Sequence, residues 1–379
     1  MVATLLGVTT YFATTVGMRA LRSSEEMPTP TAAGNVPEFV YSPPETVPTT
    51  ADYGPVGPVS VVFAGSKVRT GLSGEMDNPW IAVSAHTGEY RALSAPHRPE
   101  PGRDAVAVSP DGTALAWGYD EGVVLYDPVA DEARELTGVG ADPVLGRFSP
   151  DGRHLLLFDG SLEVLDVEAG ETVATLTGVD ETAARQAVWT PDGTALSYVS
   201  GGRLVTHAWE TGERASTQAP IAPDATLSWR PSGGQLAAMR EVRGVRSVLV
   251  FDVTEGGPLR LTRRVSPDRY AQQELLGYTS DNRVTVTALT IETGTLPLVY
   301  TMSTVDTAQP MQVMQLPGGG VDLETLEVAA EPLAAGSASF DEPSWPASDL
   351  AKLTGSILVT VFVVGLYLTR RPRKERRRA

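Results

Sequence analysis

The chain of 379 residues contains no cysteine. That excludes disulfides, thiolate metal sites and thiol nucleophiles, and it leaves the redox compartment open. Histidine is scarce as well: His86, His97, His154 and His207 are the full set, no two of them at metal-ligand spacing, and there is no HExxH pair. No G-x-S-x-G elbow and no phosphate-binding loop occurs. Gly318-Gly319-Gly320 has no Lys or Ser/Thr beside it and reads as a hinge. Basic residues are few in the body of the chain. Residues 23–350 hold 20 Lys/Arg against 45 Asp/Glu, a net charge of −25. Such a body offers no face for a phosphate backbone, which argues against nucleic acid as a partner. These gaps point away from catalysis, and no catalytic, cofactor-binding or metal-binding residue is assigned.

Both ends of the chain look different from the body. Leu353 to Thr369, LTGSILVTVFVVGLYLT, is an uncharged run of 17 residues, which as a helix spans roughly 25 Å. Lys352 precedes it and can snorkel. Seven Lys/Arg and a single Glu follow in the last ten residues, a basic flank that the positive-inside rule keeps in the cytoplasm. A core helix would show a polar stripe, and Ile357 to Leu368 shows almost none. Residues 351–369 are therefore expected to span a membrane, with 370–379 as a cytoplasmic tail. Residues 3–18, ATLLGVTTYFATTVGM, are also uncharged, so 1–22 is expected to be a signal peptide or N-terminal anchor. If the tail is inside, the body must be exported.

Two spacers are expected. Residues 23–55 carry seven prolines, including Pro43-Pro44, and read as an extended polyproline-type linker. Residues 331–350 form a second, shorter one. Between them a turn recurs: Ser109-Pro110-Asp111-Gly112, Ser149-Pro150-Asp151-Gly152, Thr190-Pro191-Asp192-Gly193 and Arg230-Pro231-Ser232-Gly233, with prolines 40, 41 and 40 residues apart. Proline presets one turn position and glycine takes the left-handed conformation at its end. An apolar or aromatic residue precedes each turn (Val108, Phe148, Trp189, Trp229), and a strand-like run follows. A second marker closes a later strand, at Asp127, Asp166, Glu210 and Asp252. Each repeat thus supplies four short strands.

A period of about 40–45 residues with four strands is the signature of a propeller blade. A lone blade cannot cover both its faces, so blades stack on one another. Residues 58–95 and 274–316 supply two degenerate blades, for an expected all-β propeller of six four-stranded blades over 56–330. The strand at 321–329 is left over. It either closes the ring by joining the first blade or builds a seventh blade with residues 35–42.

The aromatic-Ser/Thr-Pro-Asp-Gly turn followed by an apolar-Asp strand end resembles WD40 and TolB-type propellers, over about residues 58–330. In place of a Trp-Asp pair stand Tyr126-Asp127, Leu165-Asp166, Trp209-Glu210 and Phe251-Asp252. The resemblance implies binding or scaffolding. The repeated Asp111, Asp151 and Asp192 are expected to shape turns on separate, distant blades rather than hold calcium. Trp189, Trp209 and Trp229 are expected in the core between blades. Arg240, Arg243, Arg246, Arg260, Arg263, Arg264 and Arg269 form a basic segment, expected as a solvated hairpin paired to nearby acids. The expected function is a membrane-anchored, extracytoplasmic binding or scaffold module for a protein, peptide or glycan of the cell envelope. The alternatives are a propeller hydrolase or lyase with acidic residues at the central channel, and a cytoplasmic propeller with a tail anchor.

Overall fold

A computed structural model describes residues 34–341, apart from 42–46, 65–67, 71–73, 77–78, 98–105, 141–142, 224, 243–244, 255–257, 266–269, 279–283, 291–298, 305–311 and 318–324, together with 357–364.

The repeated turns fold as their residues dictate. In the first, Asp111 Oδ1 accepts from the Ser109 hydroxyl at 2.7 Å and from the Thr113 amide at 3.0 Å. The Ser109 hydroxyl oxygen accepts the Ala114 amide at 2.8 Å. Gly112 has a φ of +71° and donates its amide to the Ser109 carbonyl at 2.9 Å. The same set recurs at Ser149/Asp151/Gly152 and at Thr190/Asp192/Gly193. The turn at Arg230 keeps only the backbone bonds and uses two left-handed glycines, Gly233 and Gly234.

Each turn joins the innermost strand of a sheet to its neighbour, and the strands that follow run antiparallel outward. The second blade comprises Val106–Val108, Leu115–Tyr119, Gly122–Asp127 and Glu132–Thr137; the third comprises Val144–Phe148, His154–Phe158, Leu162–Asp166 and Glu171–Leu176. The fourth comprises Val188–Trp189, Ala195–Ser200, Arg203–Ala208 and Arg214–Gln218; the fifth comprises Thr226–Trp229, Gln235–Val242, Val245–Asp252 and Arg260–Val265. The first blade is composite. Glu327–Val328, from the far end of the chain, pairs antiparallel with Val59–Ala64, which leads on to Trp80–Ser84 and Tyr90–Ala92. A two-stranded hairpin, Val68–Thr70 with Gly74–Met76, is inserted into this blade.

The blades cover one another. In the third, Leu155 and Leu157 face the second blade, packing with Ala116, Val123 and Leu125. Leu156 faces the other way, toward Trp189, Leu196 and Tyr198 of the fourth. A strand apolar at consecutive positions is what burial on both faces requires. The first seam joins Val62, Trp80 and Ala82 to Leu115, Trp117 and Tyr126; the fourth joins Val199 and Leu204 to Leu236, Leu249 and Phe251. Each such side chain contributes roughly 1.5–3 kcal/mol on leaving water.

The expectation of six or seven like blades is corrected. Five blades are defined in backbone and in most of their side chains. A further four-stranded sheet, Tyr270–Tyr278, Val284–Thr290, Val299–Thr304 and Gln312–Pro317, is described almost only in its backbone. Its described side chains lie between the fifth and first blades: Leu275 and Tyr278 beside Ala237 and Val248, and Met314 beside Val61, Phe63 and Ile81. No seventh blade forms among the described residues, because Glu327–Val328 closes the first. Val36–Pro37 instead pairs in parallel with Ser337–Ala338.

The proline-rich stretch packs where a free spacer is expected. Val36, Val40 and Val47 are buried against the first blade. The Asn35 amide donates to the Ala85 carbonyl at 2.8 Å, the Ala92 amide to the Pro48 carbonyl at 2.9 Å, and the Tyr41 amide to the Tyr90 hydroxyl at 2.8 Å. The second spacer contains a helix, Ala330–Ala335, with Leu333 buried. The valines of the first stretch and Leu333 of the second join Val61, Phe63 and Ile81 on the face of the first blade turned away from the second.

Among the described residues no helix is long and apolar enough to cross a membrane. Residues 357–364 are helical, and the rest of the expected span lies outside the described residues, as do 1–22 and 370–379.

Two glycines separate backbone strain from close contact. A Cβ on Gly152, with φ +72°, would meet nothing within 4 Å, whereas one on Gly112 would stand 2.0 Å from the Val59 carbonyl oxygen. Gly152→Ala is expected to cost about 1–2 kcal/mol for the left-handed conformation alone. Gly112→Ala should cost clearly more, because the Val59 amide bond to the Gly112 carbonyl at 2.8 Å is displaced too. Urea unfolding midpoints of the two variants compare these costs.

Candidate functional site at the seam of the second and third blades

The turns that follow the innermost strands and those that follow the third strands emerge on the same face of the ring. There, between the second and third blades, a cavity of about 460 Å³ opens. The second blade contributes Ser109, Asp111 and Thr113; the third contributes Asp151, Arg153, His154, Asp166 and Glu168. Asp111 and Asp151 were expected far apart. Stacking instead sets equivalent turns of adjacent blades side by side, so both border one space.

The three aspartates are each held by their own turn, and Glu168 is exposed. Asp111 and Asp151 take the hydroxyls of Ser109 and Ser149, and Asp166 accepts the Ala169 amide at 2.8 Å. Burial pushes the Asp151 carboxyl up, but the Ser149 hydroxyl, the Arg153 amide and the nearby His154 outweigh it and hold it below the usual carboxylate range. The Thr190 hydroxyl and the Thr194 amide do the same for Asp192, which lies on the fourth blade away from the cavity lining. Asp151 and Asp192 are thus held charged at neutral pH, and the main bonds of the turn aspartates are spent on turns, as expected. Among the described residues no group of three or more His, Cys, Asp or Glu could hold a metal.

His154 forms one wall. Its ring lies 4.8 Å from that of Trp209 and 6.1 Å from that of Trp189, and the two indoles meet edge to face at 6.4 Å. The Trp189 indole N–H donates to the Arg147 carbonyl and that of Trp209 to the Gly193 carbonyl, each at 2.9 Å. Trp189 is buried and Trp209 half-buried, so the expected packing between blades holds for this pair. Trp229 packs at the edge of the fourth seam. Arg134 crosses from the outer strand of the second blade to the Val167 carbonyl and, at 2.7 Å, to the Glu168 carbonyl, which fixes the third-blade turn beside the cavity.

The other histidines are dispersed. His86 sits exposed in the turn after Trp80–Ser84. His97 stacks on Tyr119 with ring centres 4.4 Å apart, and its Nε2 lies 3.4 Å from Glu135. His207 is buried within the fourth blade. Arg260 and Arg264 are exposed on the outer strand of the fifth blade, while the side chains of 240–246 and Arg269, and Gly318–Gly320, lie outside the described residues. The sequence exposes Asp166 only as a strand-end marker and His154 only as one dispersed histidine. No local signal reveals that they share a cavity with the preceding blade.

No family model matches the chain, and no curated protein matches it. Similar solved structures include TolB from Acinetobacter baumannii, 15% identical with a TM-score of 0.43, over 71% of this chain and 69% of that one. The putative TolB from Agrobacterium tumefaciens is 15% identical, with a TM-score of 0.43, over 57% and 82%. Hydrazine synthase from Kuenenia stuttgartiensis is 20% identical, with a TM-score of 0.43, over 59% and 69%.

Proposed function

We propose that the chain is a non-catalytic binding module, tethered to a membrane and facing away from the cytoplasm, that takes a lysine- or arginine-bearing segment of a protein or peptide partner in the cavity between its second and third blades. The observation that carries this reading is the convergence of four acidic side chains from two blades on one cavity, in a body of net charge −25. A carboxylate held ionised, as Asp151 is, makes a poor proton donor and a good partner for a cation. The like-signed field of the body would also speed the approach of a basic partner.

The tether rests on the uncharged run Leu353 to Thr369 and its basic flank. Ile357, Leu358, Val361, Phe362 and Val364 are exposed on the helical residues 357–364. At ~100° per residue these five fall within an arc of about 160°, and the half-buried Val359 and Val363 extend the apolar surface beyond it, so that Thr360 is the one polar side chain of the eight, an arrangement suited to lipid contact. The arginines beyond residue 369 would keep the C-terminus in the cytoplasm.

Full-length protein in lipid nanodiscs should bind tri-arginine peptide in calorimetry and ignore tri-glutamate. Asp166→Asn with Glu168→Gln should weaken binding tenfold or more. Equal affinity in the double variant, or equal binding of both peptides, would refute the cavity as the site. The absence of native cysteine makes topology directly measurable. Thr172→Cys should react with an impermeant maleimide on intact cells and Ala379→Cys only after lysis; the reverse pattern would overturn the orientation.

A further inference from the structure

His207 is the one histidine buried in a seam with charged company. It is 4% exposed, in the strand Arg203–Ala208. Arg214, on the adjacent outer strand, donates Nε–H to His207 Nε2 at 3.4 Å, which leaves the ring proton on Nδ1, 3.5 Å from the Tyr198 hydroxyl. The Arg214 guanidinium also reaches across to the Thr177 carbonyl in the connection between the third and fourth blades. The neutral imidazole is therefore the acceptor that orients a cation, and that cation ties two blades together.

The titratable groups around the ring are Tyr198 and Arg214 from the flanking strands and, across the seam, Asp180, whose charge acts on Tyr198. Asp180 is committed to capping the helix Glu181–Arg185, accepting the Ala183 amide at 2.9 Å. Glu181 is paired with Arg185 at 2.7 Å. Among the described residues no carboxylate pairs with the imidazole. A proton added to Nε2 would replace an acceptor with an N–H facing a guanidinium, at a part-buried contact between a buried ring and an exposed arginine.

We infer that His207, Arg214 and the Thr177 carbonyl form an acid-released latch between the third and fourth blades: closed while the imidazole is neutral, open when it is protonated and expels the Arg214 side chain. Burial, and then the Arg214 charge, hold the imidazole below its ordinary range. A histidine so depressed favours the closed fold fully above about pH 6.5, and this contribution is lost as pH falls from there toward the lowered folded value. The latch does not depend on what the cavity binds.

Hydrogen exchange on the full chain in nanodiscs at pH 7.5 and 5.5, corrected for intrinsic exchange rates, tests it. In the wild type, amides of 177–187 and 203–218 should lose protection several-fold on acidification, toward the roughly tenfold limit that one imidazole of ordinary pKa in the open form sets between these pH values, while those of 155–158 at the neighbouring seam change little. His207→Gln, whose amide oxygen accepts from Arg214 at any pH, should stay protected at both. Arg214→Met should be unprotected at both, so it reports even if the glutamine variant folds poorly. A wild-type-like acid response in either variant, or no local response in the wild type, overturns the latch.

Discussion

A four-stranded sheet that is apolar on both sides cannot stand alone in water. Leu155 and Leu157 point to one neighbour and Leu156 to the other, so the third blade is stable only while the second and fourth are in place. The same holds at Trp117 against Ala116 and at Leu236 against Ala237. Such dependence runs round the ring until it reaches an end, and the end here is supplied by a strand that pairs Val62 with Glu327, far along the chain. Glu327–Val328 fills the innermost position of the first blade, and the Thr325 hydroxyl accepts the Ala64 amide at 2.8 Å. The closure is reinforced outside the sheet, where the parallel pairing of Val36–Pro37 with Ser337–Ala338 ties the two flanking segments to each other.

The cavity and the latch are both products of this stacking. Turns that are distant along the chain become neighbours because the second, third and fourth blades each carry the same Pro-Asp-Gly device after the first strand, and at the second and third blades the aspartates that shape the turns border a shared space. Arg134 and Arg214 perform equivalent tasks at successive seams, each reaching from an outer strand to a carbonyl of the next or preceding blade. They differ in company. Only Arg214 is aligned by a histidine, which gives that seam a sensitivity to protons.

Much of the architecture is legible in the sequence because it is written in local chemistry. The Ser or Thr hydroxyl, aspartate carboxylate and left-handed glycine of the turns at 109, 149 and 190 act within six residues, so their spacing reports the blades directly. What escapes is set by tertiary position. Val36, Val40 and Val47 lie among prolines that suggest a free spacer, yet they are buried, because an unfilled seam edge is within reach. The hairpin Val68–Thr70 with Gly74–Met76 interrupts the first blade where no repeat marks it. The cavity escapes for a third reason: Asp111 and Asp151 are 40 residues apart, and only the stacking of the second blade on the third makes them adjacent.

The most direct measurement of the central claim, that mutual covering closed by one distant strand makes the ring a single cooperative unit, compares the full chain with a variant carrying Val328→Pro, which cannot sustain the antiparallel pairing to Val61. Native-state hydrogen exchange should show protection falling together at all the described seams, including the one around Trp189 and Leu196 far from the change. Loss confined to the first blade, with the third and fourth still protected to the wild-type level, would contradict the account.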